Sequence, residues 1–186
     1  MPKGDNISMQ YVAFLRGINV GGHRVKMDHL RGLFEALGFR GVSTFIASGN
    51  VVFETEQAEP TAVELQIKTH LKSTLGYEVA TFLRTPEELA LIAARRPFDG
   101  DDVGRTVHVG FVRETLGDPR EKALRALSTE RDDFAVVGRE VYWRCLGKST
   151  DSLVSWPLVA KTIQAPSTLR NLTTVRALAA KHGVGG

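Results

Sequence analysis

The chain has 186 residues, of which 42% are hydrophobic and 24% charged, and its formal net charge is +3. These proportions are ordinary for a soluble globular protein with one substantial core or two small ones. No apolar run approaches the roughly 18 residues that a membrane span needs, and the N-terminus lacks the apolar core of a signal peptide. The single cysteine, Cys145, cannot form an internal disulfide. We therefore predict a cytoplasmic protein that does not contact a membrane.

The charge is unevenly distributed along the chain. Residues 7–34 contain four basic residues and one acidic residue, and residues 152–186 contain four basic residues and no acidic one. The segment between them is net acidic. If the two ends meet in space, they form a basic face that attracts anionic ligands; the alternative is that these side chains are scattered and solvated.

The first half of the sequence predicts the element order βαββαβ. Hydrophobic periodicity and turn residues indicate strands at 11–15, 42–47, 51–54 and 78–83, and helices at 27–37 and 61–75. In the second helix, Leu65 falls on the predicted apolar face. Ser48, Gly49 and Asn50 are expected to form a tight turn between the second and third strands. This order is that of a ferredoxin-like split βαβ unit.

The second half predicts αβαββαα, a partial repetition of the first. Its strands are expected at 106–113, 134–137 and 141–145, and its helices at 86–95, 119–127, 153–163 and 172–182. The segment around Pro166 is predicted to be a loop. We expect an α+β protein with two packed ferredoxin-like subdomains, residues 1–84 and 85–186, antiparallel sheets and extra C-terminal helices.

Four segments resemble one known family. They are YVAFLRGINVGG at 11–22, LFEALGF at 33–39, SGNVVF at 48–53 and LRNLTTV at 169–175. Together they are similar to the bacterial domain of unknown function 1697 family. The resemblance implies an α+β fold with duplicated ferredoxin-like subdomains, but it implies no activity.

The strongest candidate for a site is the glycine-rich turn that follows the first strand. Gly17, Gly21 and Gly22 lie between that strand and the next helix, an arrangement that brings backbone N–H groups close to an anion. Arg16 and Asn19 are beside them. The spacing resembles a P-loop in outline, but His23 and Arg24 stand where that motif needs Lys and Ser/Thr. The alternative is that the glycines only permit a tight connection.

The topology predicts which residues join this turn. In a ferredoxin-like sheet the first and third strands are adjacent and antiparallel, so Arg16, Asn19, Ser48 and Asn50 should share one edge. The alternative is that the two asparagines only hold turns. Arg170 and Asn171, before the last predicted helix, form a second candidate for binding phosphate or carboxylate. Here the alternative is a plain helix cap.

The histidines and the cysteine are not predicted to form a metal or catalytic site by their spacing. His23 and His29 do not have the spacing of two metal ligands on one helix face, and no metal or cofactor is expected. His108 alternates within a strand and is predicted to be a polar surface residue, while Cys145 is predicted to be a buried apolar residue.

The function that these features favour is binding of a phosphate-bearing ligand, either a nucleotide or a nucleic acid, at the glycine-rich turn. Two rivals remain. The same edge could serve a small-molecule enzyme with His23 as acid or base, or the marked residues could belong to an interaction module without activity. RNA binding through aromatic residues of the central strands, here Tyr11, Phe14 and Phe53, is a further alternative because RNA-recognition motifs share the βαββαβ order.

Overall fold

Each half of the chain folds around its own four-stranded antiparallel sheet. The structure is a computed structural model that describes residues 7–46 and 49–183. The chain divides into two compact units, Met1–Glu88 and Leu89–Gly186.

The first unit has the predicted order of elements. These are β1 (Met9–Arg16), α1 (Met27–Glu35), β2 (Arg40–Thr44), β3 (Asn50–Thr55), α2 (Pro60–Leu75) and β4 (Ala80–Arg84). The strands are arranged β2-β3-β1-β4, so β1 and β3 are the two central strands and pair antiparallel. This is the ferredoxin-like arrangement.

The core of the first unit forms where apolar residues of the sheet meet those of the two helices. Alternate residues of β1, including Tyr11 and Ala13, are buried in one cluster with Phe34 of α1 and Ile67 of α2. Helix α2 ends at Leu75 and is capped by Gly76, which has a φ of +82°, a left-handed conformation that glycine adopts without steric cost. Leu65, expected on the buried face of α2, is instead 63% exposed, because Val63, Ile67 and Leu71 form the stripe that faces the core.

The second unit repeats the same topology in full. Its elements are α3 (Pro86–Ala94, which begins just before the division), β5 (Arg105–Val112), α4 (Asp118–Arg125), β6 (Asp132–Val137), β7 (Glu140–Leu146), α5 (Trp156–Ile163), β8 (Ser167–Asn171) and α6 (Leu172–His182). The strand order is β6-β7-β5-β8, the counterpart of β2-β3-β1-β4. From β5 to β8 the chain is therefore a second βαββαβ unit.

The strand β8 corrects the prediction of a loop between the last two helices. Residues Ser167–Asn171 pair with β5, with Val112 opposite Ser167 and His108 opposite Asn171. The short segment STLRN has no strong alternation of its own, so its strand conformation depends on the exposed edge of β5. Of the two terminal helices expected, α5 belongs to the repeat, and only α6 follows it within the described residues.

Two further predictions in the second unit are wrong. The helix expected from residue 153 begins at Trp156, where the Ser155 side chain accepts a hydrogen bond from the backbone N–H of Leu158, and Leu153 is almost fully exposed. His108, expected at the surface, is 9% exposed because its face of β5 is also covered, with Trp143 of β7 opposite it.

Candidate functional site

The end of β1 and the start of β3 lie side by side, as the topology predicts. Phe14 is opposite Asn50 in the β1–β3 register, and the backbone N–H of Leu15 donates to the carbonyl of Gly49 at 2.7 Å. Residues 17–26, which we call the β1–α1 loop, therefore leave the sheet at the edge where β3 begins. Ser48, predicted to join this edge, lies outside the described residues.

The three glycines of the β1–α1 loop all have left-handed backbone conformations. The φ angles are +80° at Gly17, +64° at Gly21 and +83° at Gly22. A side chain at such a position costs roughly 1–2 kcal/mol. The path of the loop therefore favours glycine at these positions whether or not a ligand binds.

Polar contacts pin the β1–α1 loop to its own unit. The hydroxyl of Tyr77 donates to the carbonyl of Ile18 at 2.6 Å, and the ring of His23 stacks on the ring of Tyr77 with centroids 4.0 Å apart. The side-chain oxygen of Asn19 accepts a hydrogen bond from the backbone N–H of Val25 at 2.8 Å. Burial raises the pKa of Tyr77, which keeps its hydroxyl protonated as a donor. The conformation of the loop is therefore held by specific contacts, and Asn19 has a structural role in it.

Asn50 also has a structural role. It is 3% exposed, and its side-chain amide donates to the carbonyl of Phe45 at 3.1 Å, across the connection between β2 and β3. A buried amide in this position closes the hairpin. Asn50 therefore shapes the edge of the sheet, while the exposed groups at the same edge belong to the loop.

The charged side chains of residues 16–26 are all basic. Arg16, Arg24 and Lys26 are exposed, and within residues 7–46 and 49–183 no carboxylate lies within 4.0 Å of their charged nitrogens. In the same part of the chain, the backbone N–H groups of Gly21 and Gly22 have no protein acceptor. Cationic side chains and unused N–H donors on one loop are the groups that an anion requires.

The sequence patterns point to Arg16 but leave Arg24, Lys26 and Tyr77 out of the site. The sequence did contain a feature that could have identified Arg24 and Lys26, because both contribute to the basic excess of residues 7–34. No sequence feature could have identified Tyr77, since it lies 59 residues from its partner Ile18 and only folding brings the two together.

Arg170 and Asn171 belong to the second unit, where local hydrogen bonds hold both. The guanidinium of Arg170 donates to the hydroxyl of Thr168 at 2.8 Å and to the carbonyl of Leu169 at 2.9 Å. Burial lowers its pKa to about 10. The side chain of Asn171 accepts from the backbone N–H of Thr173 at 2.9 Å and caps α6. Their participation with Arg16 in one site stays a prediction.

The aromatic residues of the central strands are not available for stacking on RNA bases. Tyr11, Phe14 and Phe53 are 1%, 0% and 0% exposed. RNA-recognition motifs read bases with exposed aromatics on these strands. The structure therefore contradicts this alternative.

Two grooves of the first unit run along α2. Their volumes are ≈ 540 and ≈ 580 Å³, and Leu65, Thr69 and Ser73 line both. The lysines of the second groove, Lys68 and Lys72, pair with Glu78. These grooves offer mostly apolar and neutral surface, and in the second one the two lysines exceed the single Glu78 by one positive charge.

The thiol of Cys145 is buried. Burial is the main cause that raises the pKa of Cys145, so its thiol is a poor nucleophile. Among the described residues no group of three or more His, Cys, Asp or Glu side chains is placed to hold a metal ion, and no helix is long and apolar enough to cross a membrane.

Comparison with known proteins supports the family resemblance that the RGINVGG and SGNVVF segments indicated. A family model described as "Protein of unknown function (DUF1697)" matches residues 9–142. The fold is similar to that of the conserved bacterial protein SP0830 from Streptococcus pneumoniae, with a TM-score of 0.65 and 21% sequence identity over 94% of this chain and 98% of that chain. No curated protein matches. Because the family model covers more than half of the chain, including the β1–α1 loop, the protein belongs to the DUF1697 family.

Proposed function

We propose that the β1–α1 loop binds the phosphate group of an anionic ligand, a nucleotide or a nucleic acid. One observation carries the proposal: Arg16 at the end of β1, and Arg24 and Lys26 on the loop, are exposed without ion-pair partners in the described chain, and the loop presents unused backbone N–H groups. Such groups together satisfy the charge and the acceptor oxygens of a phosphate.

The loop is suited to this role because it is already ordered. Tyr77 and Asn19 hold it by hydrogen bonds of 2.6 and 2.8 Å. A loop that is held in place loses little conformational entropy when a ligand binds. Asn19, Asn50 and the glycines are the scaffold in this proposal, while the three basic side chains and the amides of Gly21 and Gly22 make the contacts.

The test is fluorescence anisotropy with a labelled oligonucleotide, and thermal-shift titration with nucleotides, on the full chain. In a variant with Arg16→Ala, Arg24→Ala and Lys26→Ala, we expect affinity to fall. The dependence of log affinity on log salt should also become shallower, by about one unit of slope for each phosphate that the variant no longer neutralises. The matched control is Arg120→Ala, which removes an exposed arginine of α4. Binding that is indifferent to salt, or an equal fall of affinity in the control, contradicts the proposal.

A second candidate is a small-molecule enzyme at the same loop. The observation that favours it is the position of His23, which is exposed on the loop and oriented by its stacking on Tyr77. An imidazole held in this way can act as a general acid or base towards a bound ligand. A screen of phosphorylated metabolites with wild type and His23→Ala tests it, since turnover that survives the substitution removes His23 from that role.

We also propose a cytoplasmic location. The single cysteine, Cys145, is buried and forms no disulfide, as expected in a reducing compartment. Fractionation of cells that express the tagged chain tests this, and recovery outside the cytoplasm contradicts it.

A further inference from the structure

Three arginines surround a small pocket in the second unit. Arg95 and Arg96 follow α3, and Arg176 projects from α6. The pocket has a volume of ≈ 20 Å³, and Val107 and Leu172, both buried, contribute apolar surface to its lining. We call this the arginine pocket.

Backbone carbonyls hold each of the three guanidinium groups. Arg96 donates to the carbonyl of Arg95 at 3.4 Å, and Arg176 donates to the carbonyl of Ala93 at 3.3 Å. Arg95 donates to the carbonyl of Val137 at 3.4 Å. A guanidinium has five N–H donors, so most donors of Arg96 and Arg176 remain available after these contacts.

The charges at the arginine pocket do not cancel. Arg95 pairs with Glu140 at 3.3 Å, and Asp102, which also lines the pocket, pairs with Arg144 at 3.4 Å. Within the described residues, Arg96 and Arg176 have no carboxylate within 4.0 Å. Two positive charges are therefore left at the pocket without a partner of opposite sign.

We propose that the arginine pocket binds the terminal oxygens of a dianionic phosphate group. The two uncompensated charges match a phosphate monoester, which carries roughly −1.5 to −2 at pH 7, better than a monovalent carboxylate. The volume of ≈ 20 Å³ admits only one small group, because one water-sized probe already needs about 10–15 Å³. The rest of the ligand lies outside the pocket. The guanidinium fork suits phosphate oxygens because it donates two parallel hydrogen bonds.

The test uses inorganic phosphate and the full chain, with the arginine Nε–H resonances observed by NMR. Saturable shifts at Arg96 and Arg176, absent when NaCl is added at the same ionic strength, are the expected result. Shifts that are linear in phosphate or reproduced by NaCl overturn the proposal. Binding should strengthen as pH rises through the second pKa of phosphate, and an affinity that does not change with pH overturns the assignment of a dianion.

Substitutions can distinguish phosphate binding at the arginine pocket from binding at other basic surfaces of the protein. We expect Arg96→Gln and Arg176→Gln each to weaken phosphate binding by about tenfold, and Arg176→Lys to restore only part of it because the fork is absent. Arg120→Gln, with an exposed arginine on α4, is the matched control. Unchanged affinity in both pocket variants, with unfolding transitions like that of the wild type, overturns the proposal.

This pocket and the proposed function stand independently. The Arg16, Arg24 and Lys26 variant should keep the phosphate response of Arg96 and Arg176, since these residues belong to different units. If the loop variant loses that response, the proposal that the arginine pocket binds phosphate is wrong. If nucleotides fail to bind at the loop, the phosphate titration of Arg96 and Arg176 still tests the pocket by itself.

Discussion

The hydroxyl of Tyr77 donates a hydrogen bond of 2.6 Å to the backbone carbonyl of Ile18, and so connects the end of α2 to the β1–α1 loop. The same ring carries the stacked imidazole of His23. One side chain thus fixes both the backbone of the loop and the orientation of its histidine.

Replacing Tyr77 with Phe removes the hydrogen bond but keeps the ring under His23. We expect the free energy of unfolding to fall by about 1 kcal/mol, the usual net value of one such bond, and phosphate binding at the loop to weaken without any change in charge. Urea denaturation and the anisotropy titration measure the two effects. Tyr142→Phe is the control, since the Tyr142 hydroxyl donates to the carbonyl of Ile92 in the second unit. If both variants bind the ligand equally well, the hydrogen bond from Tyr77 to the loop is not needed for binding.

Gly22 and Gly32 provide a matched pair of glycine substitutions. A Cβ at either position meets no atom within 4 Å, but Gly22 has a φ of +83° and Gly32 lies inside α1. Gly22→Ala should destabilise the protein by roughly 1–2 kcal/mol because alanine is strained there. Gly32→Ala should stabilise it by about 0.5–1 kcal/mol through helix propensity. Thermal and urea unfolding would show opposite shifts, and equal shifts would mean that the conformation of Gly22 is not required.

Gly110 of β5 lies beneath the indole of Trp156. A Cβ at position 110 would collide with ring carbons Cη2 and Cζ2 of that indole. We expect Gly110→Ala to cost about 1–3 kcal/mol, as overpacked cores do. In the background of Trp156→Ala the same substitution should cost much less, because the colliding ring is gone. A double-mutant cycle from urea unfolding measures this, and additive effects would contradict the close approach of the two residues.

His108 is expected to make stability depend on pH. Burial lowers its pKa below the ordinary 6.5, so the unfolded chain binds its proton more readily than the folded chain does. Stability is therefore complete above about pH 6.5 and decreases as pH falls from there towards the lower pKa of the folded state. His182 contributes with the same sign, since burial and, to a smaller extent, Lys181 lower its pKa.

The measurement is the urea midpoint from neutral to mildly acidic pH. His108→Gln should flatten the dependence, leaving the part due to His182. The same slope in wild type and His108→Gln would show that the unfolded and folded pKa values of His108 are equal.

Much of the fold follows from local patterns. The buried run of β1, the helical spacing of Leu30, Leu33 and Phe34, and the glycine after α2 define the first βαββαβ unit without any tertiary information. Thr85, which precedes a proline at the start of α3, has the residue type of a helix cap, and its side chain does accept a hydrogen bond from the backbone N–H of Glu88 at 3.2 Å. Such features are local in sequence, so the residues themselves encode them.

The parts that could not be predicted depend on distant partners. The strand Ser167–Asn171 forms because β5 offers it an edge, and His108 is buried because other elements cover its face of the sheet. The glycine-rich loop could be located from its residues, but the hydrogen bond that holds it in place comes from Tyr77, 59 residues away from Ile18. Which arginines keep available donors also needed the structure: Arg170 is half-buried and donates to Thr168 and Leu169, whereas Arg96 and Arg176 border a pocket.

Residue spacing and backbone preference act over a few residues, and they suffice to establish the element order of the first unit, the family and the glycine-rich turn. The complete repeat in the second unit emerged only from the folded chain, as did the distinction between polar groups that hold the fold and those that remain available. Hydrogen bonds such as that from Tyr77 to Ile18 join residues far apart in the chain, so they exist only after the sheet and helices have come together.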